Sequence, residues 1–256
     1  MAYIVKAFRS AVGKAGRGGF STYRSDDLAV DVIRHLMAQV PQLDPKRIDD
    51  VIVGCANPEG EQGLQMGRQI SMRALGHEVP GMIINRYCAS GLEAIAIAVA
   101  KIKAGMGQCY IAGGAESMSM IPMTGYKFAP SYKVASTTPD YLSSMGATAE
   151  AVAEKYNINR DDADAFSMRS HTLAANALDK GFFKEEIVPV SVEHVDFVGG
   201  KKVNAVKVVD TDEGVRRDTS IEALGKLKPA FKLGGIVTAG NSSQTSDGAA
   251  FVLVMS

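Results

Sequence analysis

The first 116 residues alternate between short apolar runs bounded by turn residues and longer segments in which apolar residues recur at helical spacing. Helices are predicted at about 26–37, 66–75 and 90–104. Strands are predicted over Ala2–Phe8, Asp50–Gly54, Met82–Ile84 and Cys109–Ala112. Continuously apolar strands that are separated by helices are typical of a mostly parallel sheet covered on both faces. The sequence therefore predicts an α/β core.

The pattern changes after residue 116. Residues 117–145 are rich in Met, Pro, Ser, Thr and Tyr and show no clear period. A helix follows that Asn159 can cap, then strands over Ile187–Val192 and Val203–Val209, and Gly248–Ser256 returns to a buried strand. We therefore expect a core of residues 1–116 and 243–256, with 117–242 as an inserted α+β loop domain.

The helix that starts near Ser90 is apolar nearly all round. Branched aliphatic residues from Leu92 to Ile102 repeat at helical spacing, and alanines occupy the other faces. A helix of this kind is usually buried, and alanines let neighbouring backbones come close. We expect a buried central helix between two layers, with its N-terminus opening into a site.

A cysteine directly precedes this helix. Near a helix start, unpaired backbone N–H groups and the positive end of the macrodipole stabilise a thiolate, which makes Cys88 a candidate nucleophile. Alone this is a weak signal, because many buried cysteines are structural. Cys55 and Cys109 are predicted to be inert buried thiols.

Composition excludes several classes of function. Lys+Arg and Asp+Glu are both 28, so no global attraction to nucleic acid is expected. The longest uncharged stretch, 233–246, is too short and too polar for a membrane span. No nucleotide-binding, serine hydrolase or zinc protease motif is present, and the histidines are isolated.

The three cysteines show neither metal-ligand spacing nor a disulfide framework, so we expect no metal and a reducing, cytoplasmic location. The first 25 residues carry basic residues and no acid, a composition compatible with a transit peptide. A first strand followed by a Gly-rich loop is the favoured interpretation of this segment.

Five segments, taken in order, resemble the thiolase family across the whole chain. The run INRYCASGL, with its continuation to Ile102, is similar to the acyl-cysteine motif of thiolases. The opening IVKAFRSAVGKAGRG and the segment AGGAESMSMIP are similar to the family's first strand and to the segment that leaves the core. MGATAEAVAEKY and KLKPAFKLGGIVTAGNSSQTSDGAA are similar to the inserted CoA-binding loop domain and the return strand.

The resemblance implies an acyltransferase with a covalent intermediate. The Cys88 thiolate would attack the keto carbon of a 3-ketoacyl-CoA, release acetyl-CoA and keep the acyl group as a thioester, which a second CoA collects. The Cys88 backbone N–H resembles one donor of the family's oxyanion hole. CoA would be a co-substrate, and no permanently bound cofactor is implied.

The resemblance also implies a set of CoA-binding residues. Met145 is similar to the residue beside the acyl group, and Ser243 to the hydroxyl that binds the pantetheine. Arg216 falls where the family has a basic residue near the nucleotide, although the adjacent Arg217 competes for this role. Phe231 and Ala239 fall at pocket-lining positions.

Family members also carry a second α/β half, with a Gly-His-Pro histidine and a Cys-x-Gly cysteine. These 256 residues contain neither motif. We therefore expect an N-terminal half that, without the C-terminal catalytic half, is nearly inactive by itself. The resemblance also implies a homodimer, because the family pairs its N-terminal halves edge to edge.

The stretch between Gly125 and Met145 is short and lacks the long extra loop of the family's tetrameric biosynthetic acetoacetyl-CoA enzymes. The resemblance therefore implies a degradative 3-ketoacyl-CoA thiolase. An acetyl-CoA acetyltransferase that forms acetoacetyl-CoA is the alternative within the same class. A non-catalytic CoA-binding or dimerisation half is the alternative of another class.

Overall fold

The structure, a computed structural model, describes residues 1–198 and 201–256. They form two compact units. Unit 1 contains residues 1–126, 184–213 and 245–256, and unit 2 contains residues 127–183 and 214–244. Among the described residues, no helix is both long and apolar enough to cross a bilayer.

Unit 1 is built on a seven-stranded sheet with three longer helices. The strands are β1 (Tyr3–Ser10), β2 (Gly13–Lys14), β3 (Asp50–Gly54), β4 (Gly81–Ile84), β5 (Cys109–Ser117), β6 (Ile187–Val188) and β9 (Ser246–Met255). The helices are α1 (Ser25–Ala38), α2 (Met66–Leu75) and α3 (Ser90–Lys103). Short 3₁₀ turns lie at Pro45–Arg47 and Gly60–Gln62.

The strand order is β4-β3-β5-β9-β1-β6, and β2 also pairs with β9. β3 is parallel to both β4 and β5, and β1 is parallel to β6. β9 is antiparallel to all of its neighbours, β5, β1 and β2, and is the one reversed strand of this sheet. The predicted α/β fold with a mostly parallel sheet is therefore confirmed.

Helices cover both faces of the sheet because its central strands are apolar on both sides. Ile52, Tyr110 and Val254 pack in one cluster with Ala94 and Ala98 of α3. Their neighbours along the strands point to the opposite face by the two-residue repeat of a strand, and there α1 packs against β1, β5 and β9. These neighbours, Val51, Val53, Ile111 and Leu253, are also buried.

Helix α3 differs from the prediction of burial on all sides. Ser90, Ala94, Ala98 and Ile102 are buried, but Leu92 on the opposite face is 73 % exposed. The physical reason is that, in the described part of unit 1, the elements in extensive contact with α3 are the strands β3, β4, β5 and β9, which lie on one side of it. A helix that is apolar all round thus buries one stripe and leaves the other in contact with solvent.

An antiparallel hairpin of β7 (Val190–Val198) and β8 (Lys201–Val209) follows β6 and belongs to unit 1. After it, Asp212 accepts hydrogen bonds from Arg9 Nη1 at 2.7 Å and from the Val12 N–H at 2.8 Å. Glu213 accepts the Lys14 N–H at 2.8 Å. These contacts hold residues 184–213 to the core strands, whereas the sequence assigns them to the insertion. The assignment of residues 117–242 to an inserted CoA-binding domain concerns function and stays a prediction.

Unit 2 is helical. It contains α4 (Tyr132–Thr137), a 3₁₀ turn at Pro139–Leu142, α5 (Met145–Tyr156), α6 (Arg160–Asp179) and α7 (Ile221–Gly225). The Asn159 side chain accepts the Asp162 N–H at 2.9 Å, so the predicted cap of α6 is confirmed. In the described part of unit 2, the β pairing is a single bridge between Pro229 and Thr238.

Candidate functional site

Cys88 lies in a sharp turn between β4 and α3, and its side chain is exposed. Tyr87, immediately before it, adopts the left-handed backbone conformation with φ of 47°. Residues other than glycine rarely adopt this conformation, because Cβ then crowds the carbonyl oxygen. The turn must therefore be held by its surroundings.

Two side chains of the turn itself provide part of this support. Ser90 Oγ accepts the Arg86 N–H at 2.8 Å and donates to the Tyr87 carbonyl at 2.6 Å. Asn85 Oδ1 accepts the Tyr87 N–H at 2.8 Å. The backbone of Arg86 and Tyr87, directly before Cys88, is thereby fixed within the turn.

The end of β3 approaches the start of α3 closely. A Cβ atom placed on Gly54 would lie 2.5 Å from the Ser90 carbonyl carbon and 2.7 Å from the Gly91 nitrogen. Both neighbours are backbone atoms that cannot rotate away. Glycine at position 54 therefore allows the strand and the helix start to meet directly behind the cysteine turn.

The three cysteines are all free thiols, but their environments differ. Burial, with a smaller contribution from Asp49, raises the pKa of Cys109 to about 11. Burial and the nearby Glu116 carboxylate raise the pKa of Cys55 even further. Both are buried, as predicted, whereas Cys88 is exposed and its thiol forms no hydrogen bond with any described residue. Cys88 is the thiol that an electrophile can reach.

The histidines do not contact the cysteine turn through any of the described interactions. His35 packs edge-on against Phe8 with 4.8 Å between ring centroids. His171 Nδ1 accepts the Arg216 N–H at 3.2 Å. Among the described residues, no histidine is hydrogen-bonded to the Cys88 thiol to act as its base.

In unit 2, Met145 and Phe231 come together at the start of α5. Met145 is the first residue of α5 and is 63 % exposed. A Cβ on the adjacent Gly146 would lie 2.2 Å from the Phe231 ring, which is itself 47 % exposed. The aromatic ring therefore rests on the glycine, and both predicted residues present apolar surface to solvent.

Buried polar groups hold the segment that carries Ala239 and Ser243, both of which are exposed. Glu150 accepts the Ile236 N–H at 3.0 Å and the Val237 N–H at 2.8 Å. Asn241 Nδ2 donates to the buried Asp164 at 2.8 Å. The sequence analysis did not predict these roles of Glu150 and Asp164. For Glu150 a signal exists, because an acid within the alanine-rich run GATAEAVAE indicates a buried carboxylate that binds backbone N–H groups.

The two neighbouring arginines differ in their contacts. Arg217 forms a two-pronged ion pair with Asp179, at 2.9 and 2.8 Å. The Arg216 side chain is exposed and forms no hydrogen bond or ion pair with the described residues. Of the two guanidinium groups, that of Arg216 is available to bind an anion.

The predicted site residues are divided between the units. Cys88 belongs to unit 1, and all five predicted CoA-binding residues belong to unit 2. The five are Met145, Arg216, Phe231, Ala239 and Ser243. Each of the six side chains is exposed.

Comparison with known proteins gives consistent matches. The family model described as the thiolase N-terminal domain matches residues 2–256. A 3-ketoacyl-CoA thiolase of Bacillus subtilis is 49 % identical over 257 positions, a match that covers 99 % of this chain and 65 % of the relative. A 3-ketoacyl-CoA thiolase of Saccharophagus degradans is 41 % identical, with 99 % and 63 % covered.

A β-ketoadipyl-CoA thiolase of Acinetobacter baylyi is 41 % identical over 272 positions, which cover 100 % of this chain and 66 % of that relative. The chain thus spans slightly less than two thirds of the length of these curated relatives.

Proposed function

Since this chain belongs to the thiolase family, we propose that it supplies the acyl-carrying cysteine of a 3-ketoacyl-CoA thiolase. The observation that carries the proposal is the exposed Cys88 in a constrained turn before α3, within the segment that resembles the acyl-cysteine motif. Covalent catalysis needs a thiol that is accessible and fixed in direction.

The proposed reaction has two steps. The Cys88 thiolate adds to the keto carbon, the bond between this carbon and the α-carbon breaks, and its electron pair leaves with the α-carbon, which takes a proton to give acetyl-CoA. The acyl thioester on Cys88 is then attacked by a CoA thiolate, which forms the shortened acyl-CoA and returns the cysteine thiolate. The Cys88 N–H is proposed as a donor to the thioester oxygen.

CoA is proposed to bind to unit 2 as a co-substrate. Met145 and Phe231 offer an exposed apolar surface for the acyl and pantetheine groups, and Ser243 offers an exposed hydroxyl. Ala239, which is also exposed, is proposed as a further pocket-lining residue. The available guanidinium of Arg216 supports its role near the nucleotide, because a phosphate needs an unpaired cation.

The substrate class is proposed to be the 3-ketoacyl-CoA of fatty acid β-oxidation. Two relatives that carry this name align over 257 and 255 positions, close to the 256 residues of the chain. The β-ketoadipyl-CoA thiolase aligns over 272 positions, so at least 16 of its residues have no counterpart. This difference favours the 3-ketoacyl-CoA substrate over the dicarboxylic one.

A cytoplasmic homodimer is proposed as the working form. The free state of all three cysteines supports a reducing compartment. β4 lies at one edge of the sheet in unit 1, which supports edge-to-edge pairing of two copies. Sedimentation velocity measurements would test the dimer.

The function is tested on the protein that carries these 256 residues. It is incubated with a 3-ketoacyl-CoA in the absence of free CoA, and mass spectrometry then locates the acyl group. We expect the acyl group on Cys88, with Cys55 and Cys109 unmodified as internal controls. A Cys88→Ser variant should lose the acyl group and the thiolysis of 3-ketoacyl-CoA by several orders of magnitude.

An acyl group on another residue, or thiolysis that survives in Cys88→Ser, would exclude the proposal. Thiolysis of acetoacetyl-CoA and of a longer 3-ketoacyl-CoA is compared in the same protein. A clear preference for acetoacetyl-CoA would favour the acetyltransferase over the degradative thiolase.

A further inference from the structure

We propose that Asn85 and Glu116 are positioning residues that hold the Cys88 turn in its reactive conformation, acting through residues 55–57. The inference rests on the proposed role of Cys88 as the acyl carrier. Neither side chain is hydrogen-bonded to the Cys88 thiol. Both instead bind the backbone of the cysteine turn or of residues 55–57, and they act through these segments.

Asn85 connects the cysteine turn to the loop that follows β3. Its Oδ1 accepts the Tyr87 N–H at 2.8 Å, and its Nδ2 donates to the Ala56 carbonyl at 2.9 Å. A single planar amide therefore fixes the residue with positive φ to a neighbouring loop. The Cys55 N–H strengthens the same junction by donating to the Ile84 carbonyl at 3.1 Å.

Glu116, near the end of β5, fixes that loop from the other side. Its carboxylate accepts the Ala56 N–H at 2.6 Å and the Asn57 N–H at 3.3 Å. The fully buried Gln62 donates its Nε2 to the same carboxylate at 2.7 Å and accepts the Ser117 N–H at 2.6 Å. The carboxylate is thus held by donors on several sides.

These contacts form a continuous path from Glu116 through Ala56 and Asn85 to Tyr87 and Cys88. A carboxylate binds backbone N–H groups roughly twice as strongly as a neutral oxygen, so Glu116 fixes the loop more firmly than an amide would. The fixed loop orients Asn85, and Asn85 offsets the cost of the left-handed conformation at Tyr87. Without this support, Tyr87 relaxes to negative φ and the Cys88 thiol leaves its place before the helix.

The test measures the rate at which iodoacetamide alkylates Cys88 near neutral pH in the folded protein that carries these 256 residues, resolved by mass spectrometry. The peptide NRYCASGL gives the rate of the same cysteine without the fold. Because no substrate or turnover is needed, the outcome does not depend on whether the protein acts as a thiolase.

We expect Asn85→Ala and Glu116→Gln to slow Cys88 alkylation near neutral pH by about five- to tenfold, toward the rate of the peptide. Glycine adopts positive φ without strain, so in a Tyr87→Gly variant the further change Asn85→Ala should slow alkylation by less than about twofold. A role in stability alone predicts no such rescue.

Asp49→Asn is the matched control. Like Glu116, Asp49 is a carboxylate of unit 1 that accepts two backbone N–H groups, those of Gln108 at 2.6 Å and Cys109 at 2.9 Å. These contacts lie at the start of β5, whereas Glu116 lies near its end. Asp49→Asn should lower the thermal unfolding temperature and leave native-state Cys88 alkylation unchanged. The proposal is overturned if Asp49→Asn slows Cys88 alkylation as much as Glu116→Gln does, or if Asn85→Ala reacts like the wild type.

Discussion

Replacing Gly54 by alanine should disturb the cysteine turn more than its small size suggests. The new Cβ would lie 2.5 Å from the Ser90 carbonyl carbon, whereas ordinary van der Waals contact begins at 3.4 Å, so the helix start must move by about 0.9 Å. Overpacking costs about 1–3 kcal/mol, and we expect a value of about 3 kcal/mol because the neighbours are backbone atoms.

The cysteines allow this loss to be measured in unit 1 alone. All three lie within residues 1–126, and Cys55 and Cys109 are buried, so their alkylation as a function of urea reports the opening of unit 1. A loss of about 3 kcal/mol should lower the midpoint by about 1 M urea. Displacement of Ser90 should also slow native-state alkylation of Cys88.

Gly91→Ala is the comparison variant, because nothing lies within 4 Å of a Cβ at that helical position. It should leave the midpoint unchanged or raise it slightly, since alanine is favoured over glycine in a helix by up to about 1 kcal/mol. If Gly54→Ala and Gly91→Ala had the same urea midpoint and the same Cys88 reactivity, the close approach behind the turn would not constrain the site.

Three further predictions concern polar contacts. Burial by itself raises the pKa of Asp212, but hydrogen bonds from Arg9 and a backbone N–H outweigh burial and lower the pKa. The ionised carboxylate therefore stabilises the fold above about pH 4, and this stabilisation is lost as the pH falls through the lowered pKa. Asp212→Asn should thus cost about 2 kcal/mol in urea unfolding of unit 1 at neutral pH and less at pH 3, and an equal cost at both would contradict the assignment. Glu150→Gln keeps only one acceptor oxygen for two backbone N–H groups, so hydrogen exchange at those amides should accelerate about tenfold, while unit 1 is unaffected. Arg216→Ala should weaken CoA binding in calorimetry by about three- to tenfold, and Arg217→Ala by less because Asp179 already binds that guanidinium; the reverse order would exchange the two roles.

Periodicity and turn residues were sufficient to predict the sheet and the place of Cys88. Strand β3 was predicted at its observed bounds, because a short apolar run between turn residues leaves few alternatives. Asn159 was predicted as a helix cap from its own type and that of Asp162, three residues on. Such local rules work where the interacting groups are neighbours in sequence.

The polar contacts that fix the turn could not be predicted in this way. Glu116 accepts hydrogen bonds from residues about 60 positions earlier, and Asn85 binds a carbonyl 29 positions away. Hydrophobic patterning contains no information on which buried acid meets which backbone N–H. The same limit applies to helix α3, whose composition predicts burial on every side without saying which layers are present to cover it.

The position of β9 between β5 and β1 has a consequence for the order in which the chain can fold. β1 pairs with residues about 240 positions later, so the sheet of unit 1 has a high contact order, and its closure is expected to be slow. Until residues 246–255 leave the ribosome, β1 and β5 each present an unpaired edge, which is a template for aggregation. Loss of this strand would leave β4-β3-β5 and β1-β6 as two separate pieces of sheet. Nascent chains of this protein should therefore depend on chaperones until β9 is made.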